Sequence, residues 1–249
     1  MDNSLYVGLS REIVLQQQMD LIANNIANAD TSGFKVEALQ TAEDPERPAF
    51  TLGGPAPVKF VASNGVLRDF GQGALRRTDS PLDLALDGAG FFRVQTAGGE
   101  RYTRDGRFRL DDSGRLTTQA GQPVLDDGGG EIVLDPQKGP VAFGPDGTVS
   151  QGTGKDILRV GKIGVASFSS LSGLEKAGDN LFRNTSNVQP TPVEAPRVRQ
   201  GMLESSNVNP ILEMTRMIEV SRAYEQMAKM MDTQADLSAR AVDSLGKVQ

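Results

Sequence analysis

Residues 24–37, NNIANADTSGFKVE, decide how this chain is read. A helical pattern arrives at the start of the stretch, and Asn24, Asn25, Asn28, Asp30, Thr31, Ser32 and Gly33 then crowd into ten positions. Short polar side chains of this kind stand in for backbone hydrogen-bonding groups and favour turns over helix or sheet. Gly33 suits the left-handed conformation with which many helices end. Phe34 and Lys35 follow at once. The stretch predicts a helix that is capped and a chain that is redirected.

Upstream, residues 4–29 read as that helix. Asn3 or Ser4 can cap its start, and Leu5, Leu9 and Ile13 recur every four residues. Leu15, Met19, Ile22 and Ile26 follow at spacings of four, three and four, the seam of a coiled coil. Gln16, Gln17, Gln18 and Asp20 fall largely outside it.

The far end of the chain mirrors this. Asn209 is a strong helix cap, Pro210 suits the first helical position, and no Gly or Pro follows until Gly246. Such a helix is about 54 Å long at 1.5 Å per residue. Met217, Tyr224, Met231, Ser238 and Leu245 repeat every seven residues, with Val220, Ala228, Ala235 and Val242 between them. A helix of that length outreaches a small β-domain, so its apolar stripe calls for another helix. The helix at the opposite terminus is the natural candidate.

Between the two, residues 41–57, TAEDPERPAFTLGGPAP, show no periodicity and read as an extended arm, with a short strand expected at 58–61. Residues 81–200 have the marks of an all-β domain, with turns such as DDSG, DDGGG and PDGT between short apolar runs. RYTRDGRFRL, 101–110, reads as a hairpin about Asp105–Gly106, with Tyr102 and Phe108 inward and its arginines in solvent. The expected class is α+β, a discontinuous helical domain with an inserted all-β domain. Its parts are a helix and cap at 1–40, an arm at 41–80, a β-rich domain at 81–200 and a second helix at 201–249.

Composition removes whole classes of function. The chain of 249 residues carries a net charge of −6 and no His, Cys or Trp, and its isoelectric point is near 4.9. An acidic chain lacks the basic surplus of a general nucleic-acid binder. Without His or Cys there is no Ser–His pairing, no thiol chemistry and no ordinary zinc site. Asp126, Asp127 and Glu131 flank three glycines but miss the spacing of a calcium loop, and GQGALRRT and GTGKD lack the phosphate-binding loop pattern. No catalytic, cofactor-binding or metal residues are assigned. The opening MDNSLYVGLSRE lacks the basic start of a cleaved leader, and no run approaches the length of a membrane span.

Three stretches resemble one family in the family's own order. ANNIANADTSGFK (23–35) is similar to the N-terminal signature of the flagellar axial proteins, which comprise the rod, hook and hook–filament junction families. LALDGAGFFRV (84–94) with YTRDGRFRLDDSGRL (102–116) resembles the central domain of hook and rod proteins. QGMLESSNVNPILEMTRMIEVSRAYE (200–225), holding Asn207 and Asn209, resembles their C-terminal signature. Length and opening are closest to proximal-rod members, with distal-rod members the nearest rivals. The resemblance implies a structural subunit that transmits torque, passed through the flagellar export apparatus without leader cleavage and assembled in the periplasm. It implies that the terminal helices form an inner tube with other rod subunits and further copies. Leu15, Met19, Ile22, Ile26, Met217, Val220, Tyr224, Met231, Ala235, Val242 and Leu245 would be the contacts, with Phe34 anchoring the turn in a neighbour. Two other readings are a peptidoglycan-acting enzyme, since carboxylates alone can cleave sugars, and a secretion chaperone.

Overall fold

The computed structural model describes residues 3–49, 58–154 and 156–246. Two helices and a β-rich middle make the chain α+β. Helix α1 spans Asn3–Ala27, and α2 spans Pro210–Gly246. The Asn209 side-chain oxygen accepts the Leu212 amide at 3.3 Å, so this cap opens α2 just before Pro210. By contacts the chain divides into two compact units, residues 1–27, 37–69 and 208–249, and residues 28–36 and 70–207.

The first unit combines the helices with a long antiparallel ribbon, β1 (Glu37–Ala49) and β2 (Val58–Arg68), paired from Glu37 opposite Arg68 to Ala49 opposite Val58. Much of the expected arm, 41–49, is therefore strand. The ladder breaks between Glu43 and Pro48, the span that contains Pro45. Proline has no N–H to donate, and a two-stranded ribbon tolerates it because both strands are edges. Periodicity fails for the same reason. α1 packs against α2 and also against this ribbon, which explains why adjacent Val14 and Leu15 are both buried.

The second unit holds the remaining strands. β3 (Leu75–Arg77), β4 (Leu84–Leu86), β5 (Phe91–Thr96) and β6 (Gly99–Thr103) come first, then β7 (Phe108–Leu110), β8 (Leu116–Thr118), β9 (Val141–Phe143) and β10 (Thr148–Gln151). β11 (Leu158–Lys162), β12 (Val165–Ser167), β13 (Leu174–Lys176) and β14 (Leu181–Asn184) follow, and β15 (Thr191–Pro192), β16 (Val198–Gln200) and β17 (Met202–Glu204) close the series. The largest sheet runs β13-β14-β6-β5-β12-β15, beside a three-stranded β11-β10-β9 and the pairs β16-β4, β17-β3 and β7-β8. Its main core gathers Leu84, Phe92, Val94, Leu116, Val124 and Val149, all fully buried.

Asp105–Gly106 is not a hairpin. β6 pairs with β5 and β14, whereas β7 pairs with β8, so the dipeptide is a corner between sheets. Leu84 donates its amide to the Gly106 carbonyl at 3.0 Å. A Cβ at Gly106 would lie 1.6 Å from the Leu84 carbonyl oxygen, so the glycine serves close approach and not a primed turn. Tyr102 and Phe108 are buried as expected, but so is Arg104.

A smaller aromatic cluster sets Phe91, Phe70, Phe182, Phe168 and Tyr102 edge to face, with centroids 4.8–5.9 Å apart. Burial first, and the Glu100 carboxylate second, push the Tyr102 phenol from 10.0 up to about 12. A raised folded value means that this group's contribution is complete below the ordinary phenol range and is lost as pH rises through about 12. Difference absorbance between the protein and Tyr102→Phe is expected to show one tyrosinate appearing near that upper value. A transition at or below 10.0 would remove the buried, carboxylate-facing phenol from the account.

Candidate assembly interface

The helical unit packs α1 against α2 along a stripe that the sequence only partly displays. The stripe of α1 that turns inward runs through Gly8, Leu15 and Ile22, all buried, while Leu9 and Ile13 stand 45% and 48% exposed. Gly8 is what shifts the stripe. A Cβ there would lie 3.1 Å from Cγ and Sδ of Met231 and 3.7 Å from Sδ of Met227, so two α2 methionines cover the bare backbone. Methionine conforms to such irregular space. One heptad up α2 from Met231, the Tyr224 hydroxyl bonds the Glu12 carboxylate, and that bond raises its pKa.

The residues chosen from the sequence fall as follows. Leu15 and Ile22 are buried, and Met19, Ile26, Met217, Val220, Tyr224 and Met231 are half-buried. Ala235 is exposed, and the side chains of Val242 and Leu245 lie outside the described residues. Phe34 is buried within the β-rich unit, where Lys176 Nζ sits 4.1 Å above its ring. A second set lies outside the contacts assigned from the sequence, although Leu9 and Ile13 belong to its four-residue repeat. Tyr6, Leu9 and Ile13 on α1, and Ile211, Met214 and Ile218 on α2, are each 45–78% exposed. The α2 trio recurs at helical spacing, 211, 214 and 218, and forms one apolar face away from the Glu213–Val220–Tyr224 side. Spacing alone could have found it, but the longer stripe on the other side masks it.

The turn-forming stretch is a structural knot. In the helical unit the Asn25 amide donates to the Glu37 carbonyl at 2.7 Å and to Glu213 Oε2 at 2.9 Å, and its oxygen accepts the Glu37 amide at 3.0 Å. Glu37 also holds Arg68 at 2.6 Å, and Glu213 holds Arg216 at 2.6 Å. Asn28 closes the turn by accepting the Thr31 amide at 3.1 Å and the Thr31 hydroxyl at 3.1 Å, and Asn24 is exposed. In the β-rich unit Gly33, with φ 71°, donates to the Glu204 carbonyl at 2.8 Å, and Asn207 accepts the Val36 amide at 2.8 Å.

Around Glu204 lies an ion cluster that sequence reasoning missed. Lys35 Nζ meets Glu204 Oε1 at 2.6 Å, and Arg104 meets Oε2 at 3.1 Å, all three side chains being at most 5% exposed. Burial pulls the Arg104 pKa below the usual guanidinium range, and Glu204 pulls it back. Removing one member of such a cluster would strand a buried charge, at a cost of about 3–5 kcal/mol.

Among the described residues no group of three or more carboxylates could hold a metal ion, and no helix is long and apolar enough to cross a membrane. A pair of terminal helices, with the chain between them forming a β-rich unit, defines a class of structural protein in which the helical body is discontinuous in sequence. Comparison with known proteins gives the family. Residues 5–35 match the family model described as flagella basal body rod protein, 85–151 the flagellar hook protein FlgE/F/G D1 domain, and 199–244 the flagellar basal body rod FlgEFG protein C-terminal region. The chain is 56% identical to the flagellar basal-body rod protein FlgF of Caulobacter vibrioides, with both chains covered in full. It is 37% identical to that of Mesorhizobium japonicum over 99% of each, and 34% identical to the rod protein FlgG of Bacillus subtilis over 96% of this chain and 98% of that one. The chain belongs to the flagellar basal-body rod family, and it is a structural protein and not an enzyme.

Proposed function

We propose that the chain is a subunit of the proximal rod, assembling through its terminal helices with further copies and with other rod subunits to transmit torque. Identity of 56% across the whole of the Caulobacter FlgF, against 34% for the Bacillus FlgG, carries the choice of proximal over distal rod. The subunit leaves the cytoplasm through the flagellar export apparatus and assembles in the periplasm. Its interface has two tiers. Leu15, Met19, Ile22 and Ile26 on α1, with Met217, Val220, Tyr224 and Met231 on α2, form a coiled-coil seam that closes the helix pair, and Ala235, Val242 and Leu245 are assigned to contacts with other subunits. Tyr6, Leu9 and Ile13, and separately Ile211, Met214 and Ile218, face other subunits. Two unlike apolar patches on one subunit suit a head-to-tail contact, which generates an open helix and not a closed pair.

The chain has no cysteine, so a pair of introduced thiols reports cleanly. Leu9→Cys with Ile218→Cys is expected to give a ladder of cross-linked multimers in purified basal bodies and none in dilute monomer. Cross-links confined to single chains in assembled rods would refute the outer tier.

A further inference from the structure

The polypeptide passes between its two units four times, after Ala27, Val36, Asp69 and Asn207. Each unit therefore contains several chain ends that nothing covalent within it holds together. We propose that two polar clasps, one in each unit, fasten these ends independently: buried Glu204 with half-buried Asn207 in the β-rich unit, and buried Asn25 in the helical unit.

In the β-rich unit every crossing segment reaches the Glu204–Asn207 pair. From 28–36, Gly33 donates to the Glu204 backbone, Lys35 to its carboxylate and Val36 to the Asn207 side chain. From the segment after Asp69, the Gly73 amide donates to Glu204 Oε1 at 3.0 Å, and the Gly71 carbonyl accepts Lys35 Nζ at 2.7 Å and Asn207 Nδ2 at 3.2 Å. Arg104 then ties the same carboxylate to the sheet corner and, through the Gly88 carbonyl at 2.7 Å, to the loop between β4 and β5. Glu204 and Asn207 themselves stand on the last segment to leave.

The backbone is shaped for this convergence. A Cβ at Gly73 would lie 1.9 Å from the Ser205 carbonyl oxygen, and one at Gly33 would lie 2.4 Å from the Arg104 carbonyl carbon. Lys35, Arg104 and Glu204 also come one from each of the three stretches that match the family models.

The helical unit repeats the device with other residues. Asn25 is the end of α1, Glu37 the start of β1, Arg68 the end of β2 and Glu213 the first turn of α2. The Asn25 side chain joins the first, second and fourth directly, and Glu37 brings in the third. A pull along the chain of a rod subunit would pass through these segments. That consequence rests on the proposed function, whereas the fastening itself does not.

Amide hydrogen exchange on the full-length protein separates the clasps. Glu204→Gln is expected to speed exchange at Gly33, Val36, Gly73 and Asn207 by about tenfold or more beyond any change at Val94 in β5, while the amides of α1 stay as they were. Asn25→Ala is expected to do the same at Glu37 and in the first turn of α2, leaving the Glu204 cluster untouched. Asn207→Ala removes hydrogen bonds but no charge, and gives the β-rich result in milder form. Either variant loosening both units, or neither loosening its own, would overturn the proposal. Global unfolding of both Glu204→Gln and Asn207→Ala would overturn it too, because the cluster would then be core and not clasp.

Discussion

Met231→Asp is expected to part the terminal helices and abolish swimming while the β-rich unit keeps its thermal transition. Met231 lies over Gly8, where α1 offers no side chain of its own, so its thioether supplies most of the apolar cover at that level. Withdrawing it forfeits about 1.5–3 kcal/mol of burial, discounted because the side chain is only half-buried. The carboxylate adds a desolvation cost of about 1–3 kcal/mol, since Gly8 presents no donor to receive it. Helices that bury one face gain most of their stability from that packing, so ellipticity should fall with the contact. In a rod the same defect would recur in every copy. Gln226→Lys, exposed on α2, is the matched control and should swim. Unchanged helicity with normal motility in Met231→Asp would sink the role given to this seam.

What the sequence made legible divides along physical lines. Asn209–Pro210 announces α2 because capping is a local transaction between neighbouring residues, and the structure places the cap one residue before the helix begins. Tyr102 and Phe108 are buried because alternation is also local. Gly8 is invisible as an inward position because apolar periodicity registers side chains, and this residue contributes by having none. Asp105–Gly106 reads as a hairpin from its two residues alone, and only the distant Leu84 carbonyl turns it into a corner. Arg104 reads as solvent-facing with its neighbouring arginines, since nothing near it in sequence reveals that Glu204 stands at 3.1 Å. Lys35 is hidden for the same reason, 169 positions from its carboxylate. The turn-rich stretch itself was visible as a redirection of the chain, but its partners were not.

Gly33→Ala and Gly178→Ala are expected to differ sharply in cost although both glycines are left-handed, with φ of 71° and 86°. A side chain in that conformation costs about 1–2 kcal/mol at either site. At Gly178 that is the whole effect, because nothing lies within 4 Å of the new Cβ. At Gly33 the Cβ would stand 2.4 Å from the Arg104 carbonyl carbon and 2.6 Å from the Asp105 amide nitrogen. These are backbone atoms at a sheet corner, which cannot swing aside as a flexible side chain would. Relief requires residues 32–35 to move, and that lengthens the Gly33–Glu204 hydrogen bond and draws Lys35 from its carboxylate. Weakening a buried pair in this way costs up to about 3–5 kcal/mol more, a large part of the roughly 5–15 kcal/mol that holds a typical domain folded. Denaturant midpoints of the two variants measure the difference. The Gly33 variant should lose several times as much as the Gly178 variant, and equal losses would mean that the approach of 33 to 104 carries no weight in the fold.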